Sequence, residues 1–301
     1  MLTYLERTVT RRKIQIALGV LWLLDGALQL QHQMFTANFA NNVIAPAAEG
    51  QPLFVRGPIH FGIHIFLMHP AIWNSLIALV QLSIGALILW KRTVRLGLLG
   101  SVFWGLFVWY FGEGLGGLAS GHTLLLMGAP GAALLYSIIS VSAWPKNHMT
   151  DNDVPAYWLV IVWAVLWLGG TALQLVNGQN TAADLSSMIA GMASGAPGWL
   201  ASFDLHVSHF VGSSNGWIVP AFITLQALIG FLIFLSHRLR AFGISLGILL
   251  SLVFWAIGQS FGSYYTGLAT DPNTAPLIIL LGIAILGTRV TKLQLLSAEN
   301  P

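Results

Sequence analysis

Two pairs of histidines stand at spacings that suit metal binding on a helix. His60 and His64 are four residues apart, and His206 and His209 are three apart. Positions three or four apart are neighbours on one helix face, and neutral imidazoles are common metal ligands. We therefore hypothesise a metal site formed by these four side chains. The alternative is that they lie at the membrane surface and bond to loop carbonyls and lipid headgroups.

His64 and His209 are also 145 residues apart, which is the offset of an internal repeat described below. Equivalent residues of two similar halves meet if both face the axis that relates the halves, and otherwise they occupy two separate half-sites. Two facing histidines would suit a haem iron. Four histidines, joined by Asp204 or Met68, would suit copper or zinc. We predict that His64 and His209 bind one shared cofactor.

Asp25 interrupts the apolar segment LWLLDGALQLQ. An ionised carboxylate inside a membrane is costly, so such residues usually face the interior of a helix bundle and have a function. We expect the Asp25 side chain to point into the bundle, to have a polar partner, and to act as a proton-relay acid or a cation ligand. The alternative is a structural carboxylic acid that is hydrogen-bonded to Gln29 or to a neighbouring helix.

Glu113 lies in the glycine-rich segment YFGEGLGG, nine residues before His122. The two could form a proton donor and acceptor pair beside a quinone headgroup, or Glu113 could be a solvated acid at a helix end. We predict Asp25, Glu113 and His122 as catalytic residues. Haem, copper and quinone are the candidate cofactors. The absence of cysteine excludes thiolate metal sites and cysteine nucleophiles, and no nucleotide-binding loop is present.

The composition indicates that these residues are carried by membrane helices. Hydrophobic residues make up 56% of the chain and charged residues 8%, against roughly 25% charged in a soluble domain. Twelve Trp and 32 Gly fit interfacial belts and close helix packing. The net charge of +3 comes from basic residues scattered through short loops, so we expect a lipid bilayer and not nucleic acid as the partner.

Eight apolar stretches are long enough to cross a bilayer, which takes about 20 residues. Their approximate bounds are 14–31, 71–90, 96–112, 123–143, 156–176, 216–235, 241–262 and 275–290. All of the 13 basic residues except Arg56 fall on one side of these spans. The positive-inside rule therefore places both termini in the cytoplasm. We expect a prokaryotic plasma membrane.

The second half of the chain repeats the first. The matched segments are Leu21-Trp22 with Leu166-Trp167, Ala27–Leu30 with Ala172–Leu175, His64 with His209, Gln81 with Gln226, Phe111-Gly112 with Phe261-Gly262, and Ala129-Pro130 with Ala275-Pro276. We predict an all-α integral membrane fold with eight transmembrane helices, arranged as two tandem four-helix repeats, 1–150 and 151–301. An even number of spans in each repeat gives the halves parallel topology. This alignment makes Gly170 the counterpart of Asp25 and Ser263 that of Glu113.

The segment Leu21 to Leu30, and Phe111 to Leu118 with its counterpart Phe261 to Leu268, resemble the DoxX/DoxD-like family of membrane proteins. Family members usually consist of a single four-helix unit, so a duplicated unit departs from the pattern. The resemblance implies a link to thiosulfate oxidation coupled to quinone reduction.

Seven of the nine histidines lie on the predicted outer side. These are His32, His60, His64, His69, His122, His206 and His209. We therefore expect a membrane redox protein that binds quinone, haem or a metal on the extracytoplasmic side and exchanges electrons with a membrane or extracytoplasmic redox partner. The alternatives are a transporter for a small solute or metal ion, and a non-catalytic subunit of a membrane assembly.

Overall fold

A computed structural model describes residues 9–145, 158–177 and 180–287 of the chain. Every regular element in these ranges is a helix. In the first half these are α1 Arg11–Leu28, α2 Leu53–Met68, α3 Pro70–Leu89, α4 Val94–Phe111 and α5 Ala132–Ser142. In the second half they are α6 Leu159–Val176, α7 Ala182–Met192, α8 Gly198–Gly212, α9 Ile218–Leu232, α10 His237–Ile257 and α11 Thr274–Leu286. Short helical turns cover His32–Phe35, Ala37–Phe39, Ala40–Ile44, Ala45–Ala48, Leu115–Gly117 and Ser260–Thr266.

Four helices in the described ranges are long and apolar enough to cross a membrane. They are Pro70–Leu89, Val94–Phe111, Leu159–Val176 and His237–Thr266. Four shorter apolar helices are Leu53–Met68, Ala132–Ser142, Ile218–Leu232 and Thr274–Leu286. The described part of the chain is therefore an all-helical protein suited to a lipid bilayer.

The helix predicted over 123–143 is shorter than expected, because α5 begins only at Ala132. Residues 124–130 form turns in which Gly128 has a φ of 105°. Gly131, with a φ of 103°, is the residue immediately before the helix. These backbone conformations belong to glycine and are incompatible with a right-handed helix. The apolar residues 124–127 therefore belong to a loop, in which tertiary contacts bury them.

Capping residues set several helix starts. The Thr10 hydroxyl accepts the N–H of Lys13 before α1, and the Thr181 hydroxyl accepts the N–H of Asp184 before α7. The Asn273 side chain accepts the N–H of Thr274 at the start of α11. Such caps satisfy amide groups that have no partner within the helix.

The helices of the two halves pair in the same order. In the first half α1 packs on α3, α3 on α4, and α4 on α5, while in the second half α6 packs on α9, α9 on α10, and α10 on α11. A Cβ at Gly85 would lie 2.8 Å from Leu23, and a Cβ at Gly230 would lie 2.8 Å from Leu168. Gly230 and Leu168 follow Gly85 and Leu23 by 145 residues each, so the same close helix contact occurs in both halves. The halves meet where α1 and α5 contact α11.

Candidate functional site

A cavity of about 540 Å³ lies within the first half of the chain. Its walls are mostly aliphatic and aromatic, and they come from α1 to α5 and from the loop between α10 and α11. The polar residues that line it, apart from tryptophans, are Gln29, Gln81, Glu113, Asp25, Tyr136, Thr270 and Asp271. An apolar pocket with a few convergent polar groups is the usual form of a small-molecule site.

Six buried polar atoms of the cavity residues have no hydrogen-bond partner in the protein. They are Asp25 Oδ1, Gln29 Oε1, Gln81 Oε1, Trp104 Nε1, Glu113 Oε2 and Tyr136 OH. A buried polar group without a partner costs about 1–3 kcal/mol. Six of them around one cavity are therefore available to a ligand or to water, and packing alone does not account for them.

Asp25 is buried in α1, with 2% of its surface exposed, and its side chain lines the cavity. The Tyr136 hydroxyl of α5 lies beside the carboxyl group. The expectation that the Asp25 side chain points into the bundle is confirmed, and the polar partner stays a prediction, because Asp25 Oδ1 has no hydrogen-bond partner. Its catalytic role stays a prediction.

Glu113 follows the end of α4 and reaches across to the start of α5. Its Oε1 accepts the N–H of Ala133 at 3.0 Å, and Oε2 stays unpaired. Burial, together with the negative charge of Asp271, raises the pKa of Glu113 from its usual 4.5 to about 8, although the backbone hydrogen bonds of the α5 start oppose this. Glu113 is therefore mostly protonated at neutral pH and can donate a proton.

Asp271 is the third carboxyl group of the cavity, and it comes from the second half of the chain. Its oxygens accept the hydroxyl of Thr270 at 2.7 Å and the N–H of Asn273 at 2.7 Å. Burial raises the pKa of Asp271. The segment Asp271-Pro272-Asn273 has the composition of a turn, and nothing local in the sequence shows that this loop reaches α1.

The cavity lining contains three carboxyl groups and no lysine, arginine or histidine. The negative charge of Asp271 disfavours ionisation of Glu113. Without a positive partner, like charges at short range favour the protonated forms of some of these groups. The site can hold protons, bind a cation, or donate hydrogen bonds to a neutral ligand.

The mouth of the cavity lies between α2, α3 and α4. Phe61, Trp73, Leu76 and Phe107 line it, and 39% to 65% of each side chain is exposed. Trp73, Leu76 and Phe107 lie on α3 and α4, which are long and apolar enough to cross a membrane. The open side of the cavity is therefore apolar.

The corresponding positions of the second half are occupied by other side chains. Gly170 stands where Asp25 stands in the first half, and Leu125 packs against it, since a Cβ at Gly170 would lie 2.9 Å from the Leu125 side chain. Gln226 donates to Gln174 at 2.8 Å, whereas their counterparts, Gln81 and Gln29, leave their oxygens unpaired. The two halves therefore differ at their polar centres.

The structure corrects the counterpart of Glu113. Gln259, and not Ser263, occupies the equivalent place, because its Oε1 accepts the N–H of Ala275 at 2.9 Å, at the second residue of α11. Two neighbouring hydrogen bonds match as well. Trp109 Nε1 donates to the Pro130 carbonyl at 2.7 Å, and Trp255 Nε1 donates to that of Pro272 at 2.8 Å.

The four histidines proposed as metal ligands, His60, His64, His206 and His209, are all exposed. Within the described ranges, no group of three or more His, Asp or Glu side chains is arranged to hold a metal ion. The structure therefore does not bring these four side chains together as ligands of one metal. The physical reason is that α2 buries the face that carries Ile59, Ile63 and Phe66, which leaves its histidines outside. A cofactor shared by His64 and His209 alone stays a prediction.

His122 does not line the cavity that Glu113 lines. It is exposed in the loop between α4 and α5, and its Cδ2 would lie 3.4 Å from a Cβ built at Gly50. Of the three residues predicted to be catalytic, Asp25 and Glu113 therefore line the same cavity and His122 does not. Tyr136 and Asp271 were missed by the sequence analysis.

The lining residues fit some of the candidate cofactors better than others. The cavity offers no histidine or methionine, which are usual protein ligands of haem iron and copper, so neither group fits there. A quinone fits, because its ring suits aromatic walls and its carbonyls accept hydrogen bonds from protonated carboxyl, hydroxyl and indole groups.

Compared with known proteins, the chain matches no family model, no curated protein and no solved structure.

Proposed function

We propose that this chain is a membrane redox protein that binds a quinone in the cavity of its first half. The observation that carries the proposal is the combination of exposed apolar side chains in the cavity lining with unpaired Glu113 Oε2 and Asp25 Oδ1 among its polar residues. A quinone has the same division into an apolar body and a polar ring edge. The DoxX/DoxD-like resemblance of the sequence points the same way.

In this proposal the aromatic walls hold the ring and the unpaired polar atoms orient it. Trp22 and Trp104 flank the cavity on α1 and α4, and Phe66 lies on α2. The Trp104 indole N–H has no partner in the protein and can donate a hydrogen bond, and the Tyr136 hydroxyl lies beside Asp25. When bound, the quinone supplies a carrier of two electrons and two protons.

Glu113 is the proton donor of the proposed site. It holds a proton near neutral pH, because its pKa is raised to about 8, and Oε2 is unpaired at the cavity. A donor whose pKa lies near the working pH transfers protons efficiently. Asp25 lines the same cavity and is positioned to exchange the second proton. The electrons come from an extracytoplasmic redox partner, and the resemblance suggests thiosulfate as their source.

Quinone binding can be measured by titrating the tryptophan fluorescence of purified protein with a decyl-tailed benzoquinone. Gly62 lines the cavity and has open space around its missing side chain, so Gly62→Phe should fill the site without a clash. Gly57 lies on the same helix, also in open space, but does not line the cavity. We expect saturable quenching that Gly62→Phe weakens about tenfold or more, or 1.4 kcal/mol, and that Gly57→Phe leaves unchanged. Equal quenching in both variants would contradict the proposal.

A second candidate function is the transport of a small organic cation. It is favoured by the three carboxyl groups that line the cavity without a basic side chain. The same titration with tetraethylammonium distinguishes the two functions. Quenching by the cation and not by the quinone would favour transport.

We also propose that the eight apolar helices α1, α3, α4, α5, α6, α9, α10 and α11 cross the bilayer as two repeats of parallel topology, with both termini in the cytoplasm. The repeated helix pairing and the recurring contacts of Gly85 with Leu23 and of Gly230 with Leu168 support the duplication. The side chains of Arg12 and Arg240 bond to carbonyls at the ends of α3 and α9. Both arginines belong to the predicted cytoplasmic side.

A further inference from the structure

Asp271 lies between the cavity and the surface of the protein. Its carboxyl group lines the cavity, and the residue is partly exposed in the loop that joins α10 to α11. The loop is held against the first half by Gln31, whose Nε2 donates to the carbonyl of Ala269 at 3.0 Å. In the topology proposed above, this loop faces the extracytoplasmic phase.

Each half contributes one loop residue to the polar centre of the other half. The loop between α4 and α5 sends Leu125 against Gly170 in the second half, and the loop between α10 and α11 sends Asp271 into the cavity that Asp25 lines. Thus the half that lacks a buried acid in its first helix receives an apolar side chain. The half that has one receives a second acid.

Asp25 provides evidence of a site that is independent of the acidic cluster itself. The residue is 2% exposed, and its Oδ1 has no partner in the protein although it lines a cavity large enough for a ligand. Asp271 and Glu113 are the partly exposed carboxyl residues of this cavity, whereas Asp25 and Tyr136 are each only 2% exposed; of the two, Asp271 lies in the loop that joins α10 to α11.

We propose that Asp271 transfers protons between the buried carboxyl groups and the extracytoplasmic phase. The inference rests on the proposed function, since it names the group that resupplies the proton donor of that site. When Glu113 gives up its proton, the Asp271 carboxyl passes one to it and regains one from external water. One O–H bond breaks and one forms at each step, and no electron moves.

Four ionisable side chains in the described ranges face Asp271. Asp25 on α1, Glu113 after α4 and Tyr136 on α5 face it from the first half. Tyr264, in the helical turn before the loop, faces it from the second half. Loss or gain of a proton at Asp271 therefore acts mainly on the carboxyl groups of the same cavity.

The transfer can be measured without any ligand. When purified protein is moved into D₂O, the carbonyl infrared band of the Glu113 carboxylic acid shifts as its proton is replaced, and Glu113→Gln identifies the band. We expect Asp271→Asn to slow the shift about 100-fold, which is within the range for a positioned proton-transfer group. Asp271→Glu should restore most of the rate. Glu49→Gln, which changes an exposed acid outside the cavity lining, should have no effect.

The inference is overturned if the band shifts at the wild-type rate in folded Asp271→Asn protein, or if Glu49→Gln slows it equally. Its failure is distinguishable from that of the proposed function. Quinone titration tests the cavity in the wild-type chain, whereas the exchange rate tests the route to the surface. A chain that binds quinone but exchanges without Asp271 would keep the first proposal and lose the second.

Discussion

Glu113 and Gln259 occupy equivalent places in the two halves and make the same type of hydrogen bond to the start of a helix. Each accepts an N–H at the second residue of the following helix. The Gln259 amide also donates to the Leu126 carbonyl at 3.3 Å, whereas the second oxygen of Glu113 is unpaired. Because an amide serves the fold at this place, the fold alone does not require the acid of the first half.

Glu113→Gln should therefore fold and lose much of its pH-dependent stability. A carboxyl group whose pKa is raised from 4.5 to about 8 binds more protons in the folded state than in the unfolded state. Its contribution is fully present below the unfolded pKa and is lost as the pH rises through the folded one. We expect the melting temperature in detergent to fall between about pH 5 and about pH 9 in the wild-type protein, and to fall less in the variant.

Asp271 also has a raised pKa, so part of the slope should remain in Glu113→Gln. Glu49→Gln, which changes an exposed acid outside the cavity lining, is a suitable control. Identical slopes in the wild-type protein and Glu113→Gln would show that Glu113 is not protonated at neutral pH.

Single residues differ in how far their role follows from the sequence. Asp25 was predicted to be buried because a charge in an apolar helix has few other options. Glu113 was singled out by its place at a helix end. Asp271 and Tyr136 could not be found in this way, because their role depends on a loop crossing from one half to the other and on which face α5 buries.

Close glycine contacts hold α1 against α3. A Cβ at Gly85 would lie 2.8 Å from the backbone oxygen of Gly19 and 2.8 Å from Leu23. Backbone atoms cannot move aside as a flexible side chain can. Small residues at such contacts let membrane helices approach closely.

Gly85→Ala should destabilise the protein by about 1–3 kcal/mol, the usual cost of overpacking. Gly169→Ala on α6 is the matched control, because a Cβ there would meet nothing within 4 Å. The comparison is made by thermal unfolding in one detergent. A control that is destabilised as much as Gly85→Ala would contradict the close contact.

At the scale of elements, apolar stretches predicted α1, α3, α4 and α6 within a few residues. They were less informative for α5, because residues 124–127 are apolar and buried without being helical. They also gave no clear signal for α7. The histidine spacing on α2 was helical, as assumed, but spacing does not tell which face a helix buries.

The whole molecule combines a repeated framework with unlike centres. The same helix pairs form in both halves, yet one centre is an open cavity with acids and the other is filled by Leu125. Internal repeats in the sequence predicted the framework. They could not predict which centre stays open, because that depends on the exchanged loops.

Sidedness can be tested directly, since the chain has no cysteine of its own. Glu49→Cys and Arg92→Cys place single thiols at exposed positions in the loops after α1 and after α3. In intact cells a membrane-impermeant maleimide should label the first and spare the second, while both should react after lysis. The reverse pattern would place the termini outside.

The most direct test of the central claim is photolabelling with an azido-substituted benzoquinone, followed by peptide mapping. The account predicts saturable labelling of the cavity lining in α3 and α4, around Trp73 to Val80 and Trp104 to Phe111. We expect no saturable labelling around Gln174 and Gln226, whose side chains bond to each other. Equal labelling of both halves, or labelling that excess unmodified quinone does not displace, would contradict it.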